Sequence, residues 1–208
     1  MRTLTSGILF LFCFHSFAVQ AQKEVEIYRT IRDYIHDQAD TARGIRIEKR
    51  SRGQIYMVGG NDYKIKSANK KLNTAIKKEV WAVKADDSLY LNCSLLQLGL
   101  WYAYAEEINE KLYFTAAITM NREERQRMAL VGAFGGPVAA GLAGGDLALQ
   151  RFYYVMNLKT GQSRYLSRAE MLQTLHSYPE LTEKYKKERK PENMDTLKYY
   201  LTEIKKRN

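Results

Sequence analysis

The sequence predicts an α+β fold: a mainly antiparallel β-sheet with a covering amphipathic helix and a helical C-terminal cap. Three observations predict it. Between Val80 and Thr119, apolar and aromatic runs are separated by short acidic clusters, the pattern of successive hairpins. Asn69–Glu79 places Leu72, Ala75 and Ile76 at helical spacing among lysines. Beyond Ser167 the strand pattern ends, and helix starts and stops follow one another to the C terminus.

Residues 1–21 are an address rather than part of the fold. Met1-Arg2 gives a basic start, GILFLFCFHSFAV from Gly7 to Val19 an apolar core, and Val19-Gln20-Ala21 a small-residue cleavage pattern. This reads as a secretory signal peptide, with an apolar core too short to span a bilayer. Cys13 does not suit lipid attachment: it follows Leu11-Phe12 and sits in mid-run, before Phe14.

Residues 22–208 suffice for a single α+β domain with a sizeable core. Within it, 120–150 is a Gly/Ala-rich apolar insertion and 167–208 the helical cap. Only Cys93 remains after export, so burial and hydrogen bonding must hold the fold without an internal disulfide. The formal charge is +10, or +9 without Arg2, and much of the excess lies in 43–52, 64–78 and 184–190. Such a balance favours anionic partners. The expected partners are anionic lipid or an envelope protein rather than nucleic acid.

The elements follow in order. Thr30 and Asp33 form a capping box for a short helix, Ile31 to Gln38, with Ile31, Tyr34 and Ile35 on one face. From Gly44 to Lys66, Ile45 and Ile47 alternate with charged residues, and Ile55-Tyr-Met-Val58 and Tyr63-Lys-Ile-Lys66 flank Gly59-Gly60-Asn61-Asp62. That reads as a β-hairpin. The glycine pair could cradle a phosphate, but no Lys-Ser/Thr pair or helix start follows, so a plain turn is the expectation. Asn69–Glu79 is the covering helix. Val80–Val83 and Ser88–Cys93 flank the Asp86/Asp87 turn; Trp101–Tyr104 and Leu112–Ala116 flank a second turn containing Glu106/Glu107. Roughly eight strands are expected in all, near the usual upper range for an open sheet.

The segment Met128–Leu149 has no charge before Asp146 and repeats small residues at Gly132, Gly136, Ala140 and Gly144. That spacing lets backbones approach closely. It reads as a buried, loosely helical hairpin or as a segment that packs on a bilayer or partner. Next, Phe152–Leu158 is a strand and Asn157–Gly161 a turn, and the chain returns as a strand over Ser163–Leu166. Ser167 and Glu170 form a capping box for a helix through His176. Pro179 opens a helix bearing Leu181 and Tyr185, and Pro191 ends it. A final helix, Glu192 to Lys206, aligns Met194, Leu197, Leu201 and Ile204.

Chemistry is sparse. Of three histidines, His36 and His176 remain in the exported chain, both on expected surface helices, and Cys93 sits in an apolar strand pattern that suits an inert thiol. No zinc spacing, phosphate loop, nucleophile elbow or dinucleotide fingerprint occurs, so no cofactor, metal or catalytic residue is assigned. The acid pairs Asp86/Asp87 and Glu106/Glu107 are adjacent in sequence and point apart, which does not suit glycoside cleavage. Trp101, Tyr102 and Tyr104 could stack on sugar rings, although aromatics are favoured in strands anyway.

Lys78-Glu-Val-Trp-Ala-Val83, Ser88-Leu-Tyr-Leu-Asn-Cys93, the Gly/Ala segment, Arg151-Phe-Tyr-Tyr-Val-Met-Asn-Leu-Lys-Thr-Gly161 and Tyr178-Pro-Glu-Leu181 occur in that order. In this the chain resembles an uncharacterised family of secreted Bacteroidota proteins, a domain of unknown function. The resemblance implies an exported compartment and origin, with no activity to carry over. The expectation is a non-enzymatic exported envelope protein that docks on a membrane or partner through Gly132, Gly136, Ala140 and Gly144. The alternative is a soluble glycan- or small-ligand-binding module using Trp101, Tyr102 and Tyr104. A hydrolase would need His36 or His176 beside a carboxylate, or Cys93 in a cleft.

Overall fold

The computed structural model describes residues 24–117 and 147–207. They form the expected α+β fold, built on a mainly antiparallel sheet of ten strands. Strands β1 (Val25–Tyr28), β2 (Asp40–Ala42), β5 (Ala82–Ala85), β6 (Ser88–Asn92), β7 (Tyr102–Ile108), β8 (Lys111–Ala116), β9 (Phe152–Asn157) and β10 (Ser163–Tyr165) run in the spatial order β10-β9-β8-β7-β6-β5-β1-β2. Strands β3 (Ile45–Lys49) and β4 (Tyr63–Ser67) form a ribbon that leaves this path and joins it through Tyr63 opposite Tyr102 of β7.

The helices follow their caps. α1 (Ile31–Ile35) has the Thr30/Asp33 box, but it ends early, where Asp37 takes φ 51°. α3 (Lys70–Lys78) is capped by Asn69 and buries Ile76. α4 (Arg168–Thr174) starts at Ser167, whose hydroxyl accepts the Glu170 N–H at 3.3 Å. The Glu170 carboxylate pairs with Arg164 at 3.2 Å. A 3-10 turn, Leu175–Ser177, carries His176 in place of continued α-helix. α5 (Pro179–Lys186) and α6 (Met194–Lys205) complete the cap, burying Leu181, Tyr185, Leu197, Tyr200, Leu201 and Ile204.

Three expectations are corrected. Ile55–Val58 is not a strand: it lies in helix α2 (Arg52–Val58), where Ser51 and Gln54 form a reciprocal capping box. The hairpin partners are therefore β3 and β4, with α2 inside their connection. Glu106 and Glu107 are not in the turn. They lie within β7, and the reversal falls at Asn109-Glu110, with φ 51° and 56°, as a two-residue hairpin loop requires. The sheet has ten strands rather than about eight, because β1 and β2 add an edge that the short runs VEIY and DTA barely announce.

Alternation along the strands gives the sheet two faces. One carries Ala82, Leu89, Leu91, Ala103, Ala105, Leu112, Phe114, Tyr154 and Met156, with Ile31 and Tyr34 of α1 packed against them. The opposite face has two covers. Over β1, β5 and the start of β7 lie the ribbon and α3, enclosing Val25, Ile27, Ile65, Ile76, Val83 and Tyr102. Over Ile108, Tyr113 and Val155 lie the cap helices. Asn92 fastens the first cover, donating to the carbonyls of Ile76 (3.1 Å) and Val80 (2.9 Å).

Candidate functional site

The two covers do not meet. Between them the sheet face stays open along one row of side chains. The row starts under the first cover, where buried Val83 of β5 lies opposite Tyr90 of β6, and comes into the open where Tyr90 lies opposite Tyr104 of β7. Thr115 of β8 lies opposite Tyr153 of β9. The register that pairs Ala105 with Phe114 brings Tyr104 beside Thr115 and joins the two halves of the row. Tyr102, two residues earlier on β7, is under α3, its hydroxyl donating to the Ile76 carbonyl. Ile108 is under the cap. Tyr104 and Glu106 fall between, and Tyr104 is 36% exposed.

This seam is a cavity of about 500 Å³. Its floor is Tyr104, Glu106, Tyr113, Thr115 and Tyr153; one wall is Lys49, Asp62 and Tyr63, and the other is Met194, Asp195, Lys198 and Thr202 of α6. The tyrosines reinforce one another edge-to-face: Tyr63 and Tyr90 at 4.9 Å between centroids, Tyr90 and Tyr104 at 6.1 Å. Burial, then the nearby Glu106 charge, pushes the Tyr104 hydroxyl above its ordinary range; burial does the same to Tyr63 and Tyr153. These phenols stay protonated at neutral pH and present O–H donors beside apolar rings. Glu106 accepts from Tyr104 at 3.4 Å and faces Lys205 at 3.6 Å, which ties α6 to the floor.

At the ribbon end the wall is built from residues that sequence reasoning passed over. Asn61 is fully buried and donates to the carbonyls of Leu98 (2.8 Å) and Leu100 (3.1 Å). Its Oδ1 accepts the Ala117 N–H at 2.7 Å. Asp62 accepts from Arg151 at 2.8 Å, and Arg151 also donates to the Gly60 carbonyl at 3.0 Å. Arg50 fills the connection from within, donating to Gly59, Asn61 and Gln54 carbonyls. The Gly59 and Asn61 N–H groups are spent on Ile55 and Leu100, so Gly59-Gly60 offers no phosphate cradle. An Arg before a Ser-x-x-Gln box and a Gly-Gly-Asn-Asp run were the visible signals.

The expected sugar-stacking residues separate. Tyr102 is 3% exposed, so its ring cannot meet a ligand. Trp101 has φ 77° and lies outside the seam, with Lys64 Nζ 4.6 Å and the Arg50 guanidinium 5.3 Å from its ring centroid. Its buried Nε1 has no acceptor among the described residues. Only Tyr104 reaches the seam. Gly132, Gly136, Ala140 and Gly144 lie outside the described residues. His36 and His176 are exposed and neither lines the seam; Cys93 is fully buried, and burial pushes its thiol up. A larger opening, about 580 Å³, lies between the ribbon end and β1–β5, but its lining is chiefly aliphatic and backbone with Arg46 and Lys66, and has no aromatic side chain.

Fold and site define an α+β domain with a tyrosine-lined groove between two covers of one sheet face. The chain belongs to a family of unknown function, DUF6563, whose family model matches residues 26–208. No curated protein and no solved structure matches it.

Proposed function

We propose that this is a non-catalytic, exported envelope protein that holds an oligosaccharide in the groove between the ribbon and α6. The floor of Tyr104, Thr115 and Tyr153, with Tyr63 in the ribbon wall, carries the reading. It sets aromatic rings beside hydroxyl donors, with Lys49 and Lys198 on one wall each and acids Asp62, Glu106 and Asp195 among them. A polyhydroxylated ligand needs that mixture of stacking faces and convergent polar groups. Export is supported by the basic start and the apolar run of residues 1–21. Two of the three acids are engaged as structural partners, Asp62 by Arg151 and Glu106 by Lys205, which favours holding a ligand over cleaving it.

The test is calorimetric titration of the chain from Gln22 with neutral hexasaccharides of glucose, mannose and xylose, beside Tyr104→Ala and Tyr153→Ala. Tyr104 is exposed and Tyr153 half-buried, so both variants should fold. Binding of one sugar that weakens roughly tenfold in each variant supports the reading, since one stacked ring is worth about 1 kcal/mol or more. No binding to any of the three, or binding indifferent to both substitutions, overturns it.

A further inference from the structure

The ribbon ends in a free edge. β3 is the outermost strand of the branch β3-β4-β7 and pairs with β4 alone. The other outer strands, β2 and β10, have three residues each, whereas β3 has five. The Arg50 N–H donates to the Asp62 carbonyl at 2.7 Å. Pairs that exchange hydrogen bonds recur at every second residue of an antiparallel ladder, so Glu48 opposite Lys64 and Arg46 opposite Lys66 are the bonded pairs here. The N–H and C=O groups of Ile45, Ile47 and Lys49 therefore point out of the ribbon, and no described residue bonds them. The ribbon meets Ala117 and Arg151 at its Asn61–Asp62 end. The opposite end, where Ile45 faces Ser67, borders the opening of about 580 Å³.

An unpaired edge is a template for another strand. The strand Ile45-Arg-Ile-Glu-Lys49 fits its own copy in one register. Only the odd-numbered residues present outward groups, so an antiparallel second β3 can be centred on Arg46, Ile47 or Glu48. Centred on Arg46 or on Glu48, it sets like charges directly opposite each other, which is destabilising. Centred on Ile47, it sets Arg46 opposite the partner's Glu48, and Glu48 opposite the partner's Arg46. Ile47 then meets the partner's Ile47, and every outward N–H and C=O of the strand finds a partner. The Arg46 and Glu48 side chains lie on the outer face, 79% and 37% exposed, where each can reach across. We infer that β3 is the interface of a two-fold homodimer, in which two ribbons join as one four-stranded sheet through antiparallel β3 strands centred on Ile47.

The experiment is sedimentation velocity of the chain from Gln22 over a range of concentrations. It uses about 0.15 M salt, where a screening length of about 8 Å spares contact pairs and damps repulsion between two basic chains. The variants are Arg46→Glu, Glu48→Arg and the double exchange Arg46→Glu/Glu48→Arg, with thermal melting to check that each folds. Either single variant sets like charges opposite each other twice per dimer and should weaken dimerisation roughly tenfold. An equal mixture of the two single variants, like the double exchange, sets opposite charges together again and should restore it. Amide hydrogen exchange reads the same edge without any substitution: the Ile47 and Lys49 N–H groups should gain protection as concentration rises, while those of Arg46 and Glu48 are protected throughout. A chain that stays monomeric up to roughly millimolar concentration overturns the inference. So does a dimer indifferent to both single variants, a loss that neither the mixture nor the double exchange restores, or Ile47 exchange that ignores concentration.

Discussion

Asn61 reaches Ala117 across the end of the sheet: its side-chain oxygen accepts the Ala117 backbone N–H at 2.7 Å, and the next residue, Asp62, holds Arg151 at 2.8 Å. Ala116 and Phe152 are paired across β8 and β9. The chain therefore leaves the sheet and returns to it at one place, and two consecutive residues of the ribbon grip both sides of that place.

Asn61→Ala removes both donors and the acceptor at once. It strands the Leu98 carbonyl and the Ala117 N–H in a buried setting. The expected loss is about 2–6 kcal/mol, from two orphaned groups at about 1–3 kcal/mol each. Asn61→Asp should cost at least as much, because a carboxylate cannot donate to Leu98 and Leu100. Urea unfolding of both variants checks it; a loss below about 1 kcal/mol would contradict the clamp.

Gly59 and Gly60 should separate cleanly. Both have left-handed backbone, φ 68° and 77°, but a β-carbon on Gly59 meets nothing within 4 Å, whereas one on Gly60 strikes Trp101 and Leu100. Gly59→Ala should cost about 1–2 kcal/mol for the backbone alone. Gly60→Ala should cost about 1–3 kcal/mol more, since the colliding atoms include backbone that cannot swing away. Paired denaturation curves measure the difference.

Excising residues 118–146 and joining the ends with a short Gly/Ser linker should leave the sheet folded, because Ala116 and Phe152 already face each other as hairpin neighbours. Far-ultraviolet circular dichroism and a cooperative melt check this. Loss of the melt would show that the sheet depends on that insertion.

Alkaline pH should unfold the cap. Burial pushes the phenols of Tyr165 and Tyr185 up to about 12 from an ordinary 10.0. A proton held more tightly in the folded state stabilises it fully below the unfolded value. That contribution fades as pH rises from about 10 through the folded values. Stability should therefore be level through neutral pH and fall between about 10 and 12. Phenolate absorbance should lag behind that of the denatured chain over this interval.

Much of this architecture was legible locally. α3, α5 and α6 were visible because Leu72 and Ile76, then Leu181 and Tyr185, then Leu197, Leu201 and Ile204, repeat at helical spacing on one face. The β5–β6 hairpin was visible because Asp86-Asp87 interrupts two apolar runs. α2 was hidden because Ile55–Val58 is as apolar as a strand, and the Ser51/Gln54 box outweighs it only when read together with the left-handed Gly59. The groove was half-legible. Tyr104 could be singled out, but its companions Tyr63, Tyr90 and Tyr153 come from three other strands and meet it only through register. Tyr102 looked equivalent to Tyr104, and lies on the same face. What separates them is that α3 covers one and stops short of the other, which is a tertiary fact.

The most direct test of the groove is a titration watched at the tyrosine rings. With carbon-13 tyrosine in the chain from Gln22, the ring resonances of Tyr63, Tyr104 and Tyr153, which line the groove, should move together as the bound hexasaccharide is added, while Tyr200, buried in the cap, stays still. Shifts confined to other tyrosines, or no shift at saturating sugar, would contradict a ligand site between the two covers.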